Sequence, residues 1–283
     1  MSKRGLILEG GAMRGLFTAG ILDVMLEHDI QFDGIIGVSA GAAFGCNYKS
    51  RQIGRVLRYN TRFCRDKRFC SWYSLLKTGD LFGADFCYRE LPEELDVFDC
   101  RTYNENPVEF WLVCTDAVTG KAHYQPCPEA TRACFQWMRA SASMPLVSRV
   151  VETETGIYLD GAMADSVPLQ FFQSQGYDKN VVILTQCAGY RKKPQKAMWL
   201  IRAALRKYPE VVKTLAVRHL MYNRTMELIE EQERAGKIFV FRPESPLPLN
   251  RICHDPARLR QAWQTGRELA LKKYSDLKHF LNS

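Results

Sequence analysis

The chain has 283 residues, enough for one large α/β domain or two small ones with a full core, and its 46% hydrophobic and 25% charged residues are ordinary for a soluble globular protein. Lys and Arg outnumber Asp and Glu by 39 to 31, and the excess sits in the C-terminal third, where residues 186–283 carry 20 basic and 9 acidic side chains. Ten cysteines without a Cys-x-x-Cys or a Cys/His cluster exclude the common zinc motifs, and no apolar run reaches membrane-spanning length.

Gly5-Leu-Ile-Leu8 reads as a first strand, wholly apolar as a central parallel strand would be. It runs into a glycine-rich turn, Glu9-Gly-Gly-Ala-Met-Arg-Gly15, and a buried helix from Leu16 to His28. A second strand, Ile35 to Val38, follows the Asp33-Gly34 turn and delivers Gly37-Val-Ser-Ala-Gly41, after which Ala40 to Phe44 suit a helix. This βαβα start predicts parallel strands whose two glycine turns share one edge of the sheet. Ser39 is thereby pinned on a sharp turn between a strand end and a helix start, with glycines on either side and the positive helix end beneath its hydroxyl. That is the setting of a nucleophilic serine; a small-residue packing turn is the alternative.

The first glycine turn fits the dinucleotide fingerprint poorly. Ala12 occupies the second glycine of that pattern, and the second strand ends in Ser39, not in an acid for a ribose. Read beside a nucleophile, the backbone N–H groups of Gly10, Gly11 and Ala12 form an oxyanion hole instead.

Further along, Arg51, Arg55, Arg58, Arg62 and Arg65 are spaced to share one helical face, and Phe69, Trp72, Tyr73, Leu75 and Leu76 come next. This is the pattern of a membrane-interface element or of a solvated helix face. A third strand over Val108–Cys114, an antiparallel return over Lys121–Gln125, and a helix over Ala130–Ala142 follow. Short extended pieces within 147–159 deliver Asp160-Gly161-Ala162 at another strand end. Val181–Thr185 is a buried strand, 196–234 is helical with a break near Pro209, Ile238–Phe241 is a last strand, and 258–281 is mostly helix.

A serine nucleophile needs a base. None of His28, His123, His219, His254 and His279 sits at a strand-end turn beside a small residue, and His254 is the one late histidine with a plausible position. Asp160 is better placed, because Asp-Gly after a short apolar strand projects the carboxylate from the sheet.

Together, Gly10–Gly15, Gly37–Gly41 and Asp160–Ala162, with Cys114–Gly120 and Arg139–Pro145 as lesser matches, resemble the patatin-like phospholipase family over about residues 5 to 185. The resemblance implies a three-layer α/β/α sandwich with a mainly parallel central sheet. It also implies a Ser39–Asp160 dyad without histidine, and hydrolysis of lipid acyl esters without metal or cofactor. Ala12 and Ser166 depart from the glycine and asparagine of many members.

The expectations are therefore an acyl-hydrolase core over 1–190 and a basic, mostly helical extension over 191–283. The protein is expected to be cytoplasmic, taking a lipid or acyl-ester substrate, touching membranes peripherally through basic surfaces, and binding no nucleic acid. A non-catalytic lipid-binding protein on the same scaffold is the other reading. Oligomeric state and the identity of the acyl substrate are left open.

Overall fold

Apolar strands that alternate between two buried faces build the centre of the molecule. The computed structural model describes residues 2–196 and 198–283; Met1, and Ala197 within the expected helical segment, lie outside them. The strands are β1 (Lys3–Leu8), β2 (Gly34–Val38), β3 (Glu109–Asp116), β4 (Ala122–Pro126), β5 (Val151–Thr153), β6 (Gly156–Asp160), β7 (Tyr177–Ile183) and β8 (Ile238–Phe241). The helices are α1 (Gly15–Glu27), α2 (Ala40–Lys49), α3 (Arg55–Phe63), α4 (Trp72–Thr78), α5 (Cys100–Glu105), α6 (Arg132–Ser141), α7 (Leu169–Ser174), α8 (Met198–Ala204), α9 (Pro209–Arg234), α10 (Pro256–Lys272) and α11 (Tyr274–Asn282). A π-helix spans Phe86–Leu95.

The sheet runs in the order β5-β6-β3-β2-β1-β7-β8, with β4 also paired to β3. Neighbours from β3 through β8 are parallel, whereas β4 and β6 pair antiparallel to β3. Leu6, Leu8 and Ile35 point to one face and pack with α1, α2, α6, α10 and α11. Ile7, Ile36 and Val38 point to the other and meet α7 and α9 through Phe172, Tyr222, Met226 and Ile229. The expected mainly parallel α/β/α sandwich is what the chain forms. The buried strand expected at 181–185 begins earlier, at Tyr177, because the more polar Tyr177–Asn180 half also pairs with β1.

Helix α1 is buried from Gly15 to Leu26, which explains why its sequence shows no polar stripe. The sheet covers one side and α10 the other. The two helices cross through glycines: a Cβ on Gly20 would collide with the Trp263 carbonyl oxygen, and one on Gly266 with the Phe17 carbonyl oxygen. The C-terminal region is thus packed against the helix that follows the first glycine turn, and β8 extends the sheet beside β7.

The expected cationic face over 51–65 is not one surface. Arg51 precedes α3 with a left-handed φ of 53°, and Arg65 follows it. Arg55 is buried, donating to Asn47 Oδ1 at 2.9 Å with Asp96 beside it, and Arg58 pairs with Asp96 at 2.7 Å. The helical spacing aligns these residues, but Arg55 turns inward beside Asp96, while Arg58 pairs with the same carboxylate from a half-exposed position.

Replacing Gly266 with Ala should test the helix crossing. Helix propensity alone favours Ala by about 1 kcal/mol, but a collision with backbone costs about 1–3 kcal/mol. The expected outcome is a net loss of stability, read as a lower denaturation midpoint; an unchanged or raised midpoint would refute the tight crossing.

Candidate active site

Strand β3 carries the register that brings the two chemical groups together. Val38, the last residue of β2, pairs with Val113, and Asp160, the last residue of β6, pairs with the next residue, Cys114. The side chains that follow these strand ends are therefore neighbours although 121 positions separate them in sequence. Ser39 Oγ donates to Asp160 Oδ2 at 2.9 Å. The other carboxylate oxygen accepts from the Ala162 N–H at 2.8 Å, so the Asp-Gly-Ala turn orients the acid it contains. Thr115 Oγ1 donates to the Asp160 carbonyl at 2.8 Å and Asp160 N–H to the Ser143 carbonyl at 2.9 Å, which clamps the backbone.

Ser39 is the N-cap of α2 and adopts φ 55°, ψ −120°, a conformation that L residues rarely take. Its N–H donates to Ser141 Oγ at 2.9 Å, and that hydroxyl donates in turn to the Val113 carbonyl at 2.6 Å. Ser141 is fully buried and so holds the strained turn from below. Close packing is required on the other side as well: a Cβ on Gly10 would stand 2.7 Å from the Val38 carbonyl oxygen and 2.9 Å from Ser39 Cβ.

Gly10, Gly11 and Ala12 line the same cavity as Ser39 and Asp160. Among the described residues their three N–H groups donate to no hydrogen bond within the chain. Ala12 has φ 49°, so a position where glycine would be relaxed carries a side chain under strain. The turn is anchored by Glu9, whose carboxylate accepts from Thr185 N–H at 2.6 Å and from Tyr222 Oη at 2.8 Å, and by Met13 N–H, which donates to the Arg251 carbonyl at 3.2 Å.

Burial pushes the Asp160 carboxyl above the ordinary carboxylate range; the Ala162 N–H, the Arg218 charge, the Ser39 hydroxyl and the Lys192 charge pull it back in that order. The cavity encloses about 320 Å³. One part of its wall is apolar and comes from α2, α3 and the π-helix, through Phe44, Tyr59 and Leu91, and from Phe98 just beyond the π-helix. Lys192, Arg218 and Tyr222 line it from the α9 side. Such a site can hold an apolar chain beside a hydroxyl, an acid and three free N–H groups.

A family model for patatin-like phospholipase matches residues 6–172. The chain belongs to the patatin-like phospholipase family. A second family model, a domain of unknown function numbered DUF6363, matches residues 208–282. Relatives of this family member include the uncharacterized protein YjjU of Escherichia coli (strain K12), 28% identical over 282 residues that cover 93% of this chain and 74% of that protein. Lysophospholipase nte1 of Aspergillus oryzae is 26% identical over 184 residues, 62% of this chain but 11% of that protein, so the family match takes in a small part of the longer relative. The crystal structure of VipD from Legionella pneumophila aligns with a TM-score of 0.41 at 12% identity, over 95% of this chain and 67% of that one.

Of the residues singled out in the sequence, Ser39, Asp160 and the Gly10–Ala12 turn meet in one cavity, and Ser166 lines it while donating to the Ala162 carbonyl at 2.7 Å. His254 does not join them. Its Nδ1 lies 2.6 Å from the Cys64 carbonyl oxygen, and among the described residues no histidine lines the cavity. The sequence reading assigns no role to Ser141, Glu9, Arg218 or Arg251. Ser141 sits inside the Arg139–Pro145 match, so a signal existed for it; the two arginines lie in ordinary basic segments and carry none.

Replacing Ser141 with Ala would leave the buried Ser39 N–H without an acceptor, at a cost of about 1–3 kcal/mol. The expected outcome is a lower denaturation midpoint together with weaker reactivity at Ser39, read by labelling with an active-site-directed fluorophosphonate. Full reactivity at unchanged stability would show that the hydroxyl does not support the turn.

Proposed function

We propose that this chain is a serine acyl hydrolase acting on lipid esters, with Ser39 as nucleophile, Asp160 as its base and the Gly10–Ala12 turn as the oxyanion hole. The observation that carries the reading is the 2.9 Å hydrogen bond from Ser39 Oγ to a buried Asp160 carboxylate beside three unengaged N–H groups. Family membership and the lysophospholipase name of a relative support the lipid class.

Ser39 Oγ attacks the ester carbonyl carbon while Asp160 takes its proton. The carbonyl oxygen becomes an oxyanion, and N–H groups of Gly10, Gly11 and Ala12, with the positive end of α2, hold that charge. Collapse breaks the carbon–oxygen bond, and the departing alkoxide takes the proton from Asp160. Water then attacks the acyl-enzyme, gives a proton to Asp160, and the fatty acid leaves as Ser39 regains its hydrogen. A carboxylate is an intrinsically weak base, so its raised pKa assists the proton transfer and the preorganised N–H groups supply much of the rate.

Helix α4 supports contact with a lipid surface. It exposes Trp72, Tyr73 and Leu76, the last at 88%, and the cavity is lined by Leu81 and Phe82 just beyond it. Aromatic and apolar side chains so exposed suit a membrane interface.

A fluorophosphonate should form an adduct on the Ser39 peptide of the wild type and none in Ser39→Ala. Absence of an adduct on folded wild type would leave the non-catalytic lipid-binding reading. Asp160→Asn should fold and lose ester turnover by about 100-fold or more. Because Asp160 works as a base only when ionised, and burial raises its pKa, wild-type kcat/KM should fall with decreasing pH at a midpoint above that of an ordinary aspartate; a pH–rate profile flat through the acid range would contradict the assignment.

A further inference from the structure

Six cations line the cavity, and they divide into two groups. Arg55 has Asp96 beside it, and Arg139 pairs with Asp80 at 3.2 Å. Arg14, Lys192, Arg218 and Arg251 form no ion pair among the described residues. Arg218 Nε donates only to the Ala162 carbonyl at 2.6 Å, Lys192 Nζ lies 4.0 Å from the centre of the Tyr222 ring, and Arg14 Nε is buried without a hydrogen-bond partner. Two carboxylates share the cavity with these four, Glu9 and Asp160, and both are engaged, Glu9 by Thr185 and Tyr222 and Asp160 by Ser39 and Ala162. With all four protonated, two positive charges are in excess.

The four cations also repel one another. Burial, and then repulsion from Arg218, Arg251 and Arg14, pushes the Lys192 ammonium down to about 7, with Glu9 opposing. Burial lowers Arg14 and Arg218 too, and Arg251 acts against both. Like charges gathered in a partly dehydrated site with too few counter-ions are costly, and an anion seated among them would relieve that cost.

We propose that Arg14, Lys192, Arg218 and Arg251 form a subsite for a phosphomonoester on the alcohol part of the acyl ester that Ser39 cleaves. A phosphomonoester carries a charge of about −1.5 to −2 at neutral pH, with three acceptor oxygens, and matches the excess. A choline or ethanolamine headgroup would bring its own cation among four others, with no free carboxylate to receive it. The subsite is built mainly by the C-terminal region. Lys192, Arg218 and Arg251 all come from beyond residue 190, and Arg251 is tied to the glycine turn by its carbonyl, which accepts from Met13 N–H. This inference rests on the acyl-hydrolase reading of Ser39.

The test compares kcat/KM for a 1-acylglycerol 3-phosphate, the matching acylglycerophosphocholine and the neutral monoacylglycerol, all with one acyl chain. The proteins are wild type and Lys192→Gln/Arg251→Gln, two positions whose side chains donate to no hydrogen bond among the described residues. Wild type should favour the phosphomonoester over the choline diester by about tenfold or more, and the double variant should lose about tenfold of that ratio, the effect of one charge-assisted hydrogen bond. No preference in wild type, or a ratio unchanged in the variant, overturns the proposal.

Calorimetry with glycerol 3-phosphate and with inorganic phosphate forms the second arm. Both should bind wild type, and both should bind the variant about tenfold more weakly. Binding of inorganic phosphate without any preference among the esters would make the site one for free phosphate and overturn the headgroup assignment. Fluorophosphonate labelling of wild type separates the two levels. With an adduct on Ser39, any failure belongs to the subsite; without one, the hydrolase reading fails and calorimetry alone decides the anion site.

Discussion

The geometry of the site depends on one constraint: a non-glycine residue, Ser39, held at positive φ between a parallel strand and a helix. That conformation is unfavourable by itself and survives only where the surroundings leave no other choice. Ser141 supplies the acceptor for its N–H, Val113 fixes Ser141, and Gly10 lets the neighbouring turn approach closely. The strand register then does the rest. Because β2 and β6 flank β3 and end against adjacent residues of it, a hydroxyl and a carboxylate from distant parts of the chain arrive within one hydrogen bond.

Much of this is legible in the sequence. Gly37–Gly41 and Glu9–Gly15 mark turns because glycine spacing after an apolar run has few other uses, and Asp160-Gly161 marks a third for the same reason. What could not be read is anything that depends on partners far apart in sequence. Asp96 lies 38 residues from Arg58, and nothing in the spacing of the arginines announces that one of them is buried beside it. Likewise Arg218 and Arg251 look like solvated charges in a basic segment, and only the packing of α9 and the loop after β8 turns them toward the cavity. Periodicity reports which face an element hides; it does not report what waits on the other side.

The C-terminal region is bound into the structure at three levels. It adds a strand beside β7, lays α10 on α1 through two glycines, and sends α9 across the face of the sheet that α7 also covers. Tyr222 of α9 reaches the same Glu9 that anchors the first glycine turn. A segment matched by its own family model is therefore, physically, part of the wall around Ser39.

The ends of the sheet have a consequence for how the protein behaves in a crowd. The strands paired on one side only, β4, β5 and β8, have five, three and four residues, while the interior strands β1, β3 and β7 have six, eight and seven. A strand edge recruits other chains in proportion to the length of unpaired backbone it displays, and these edges display little. The longest and most apolar strands, those with the greatest tendency to assemble, are paired on both sides. The outer strands thus leave little unpaired backbone, whereas α4 leaves Trp72, Tyr73 and Leu76 exposed.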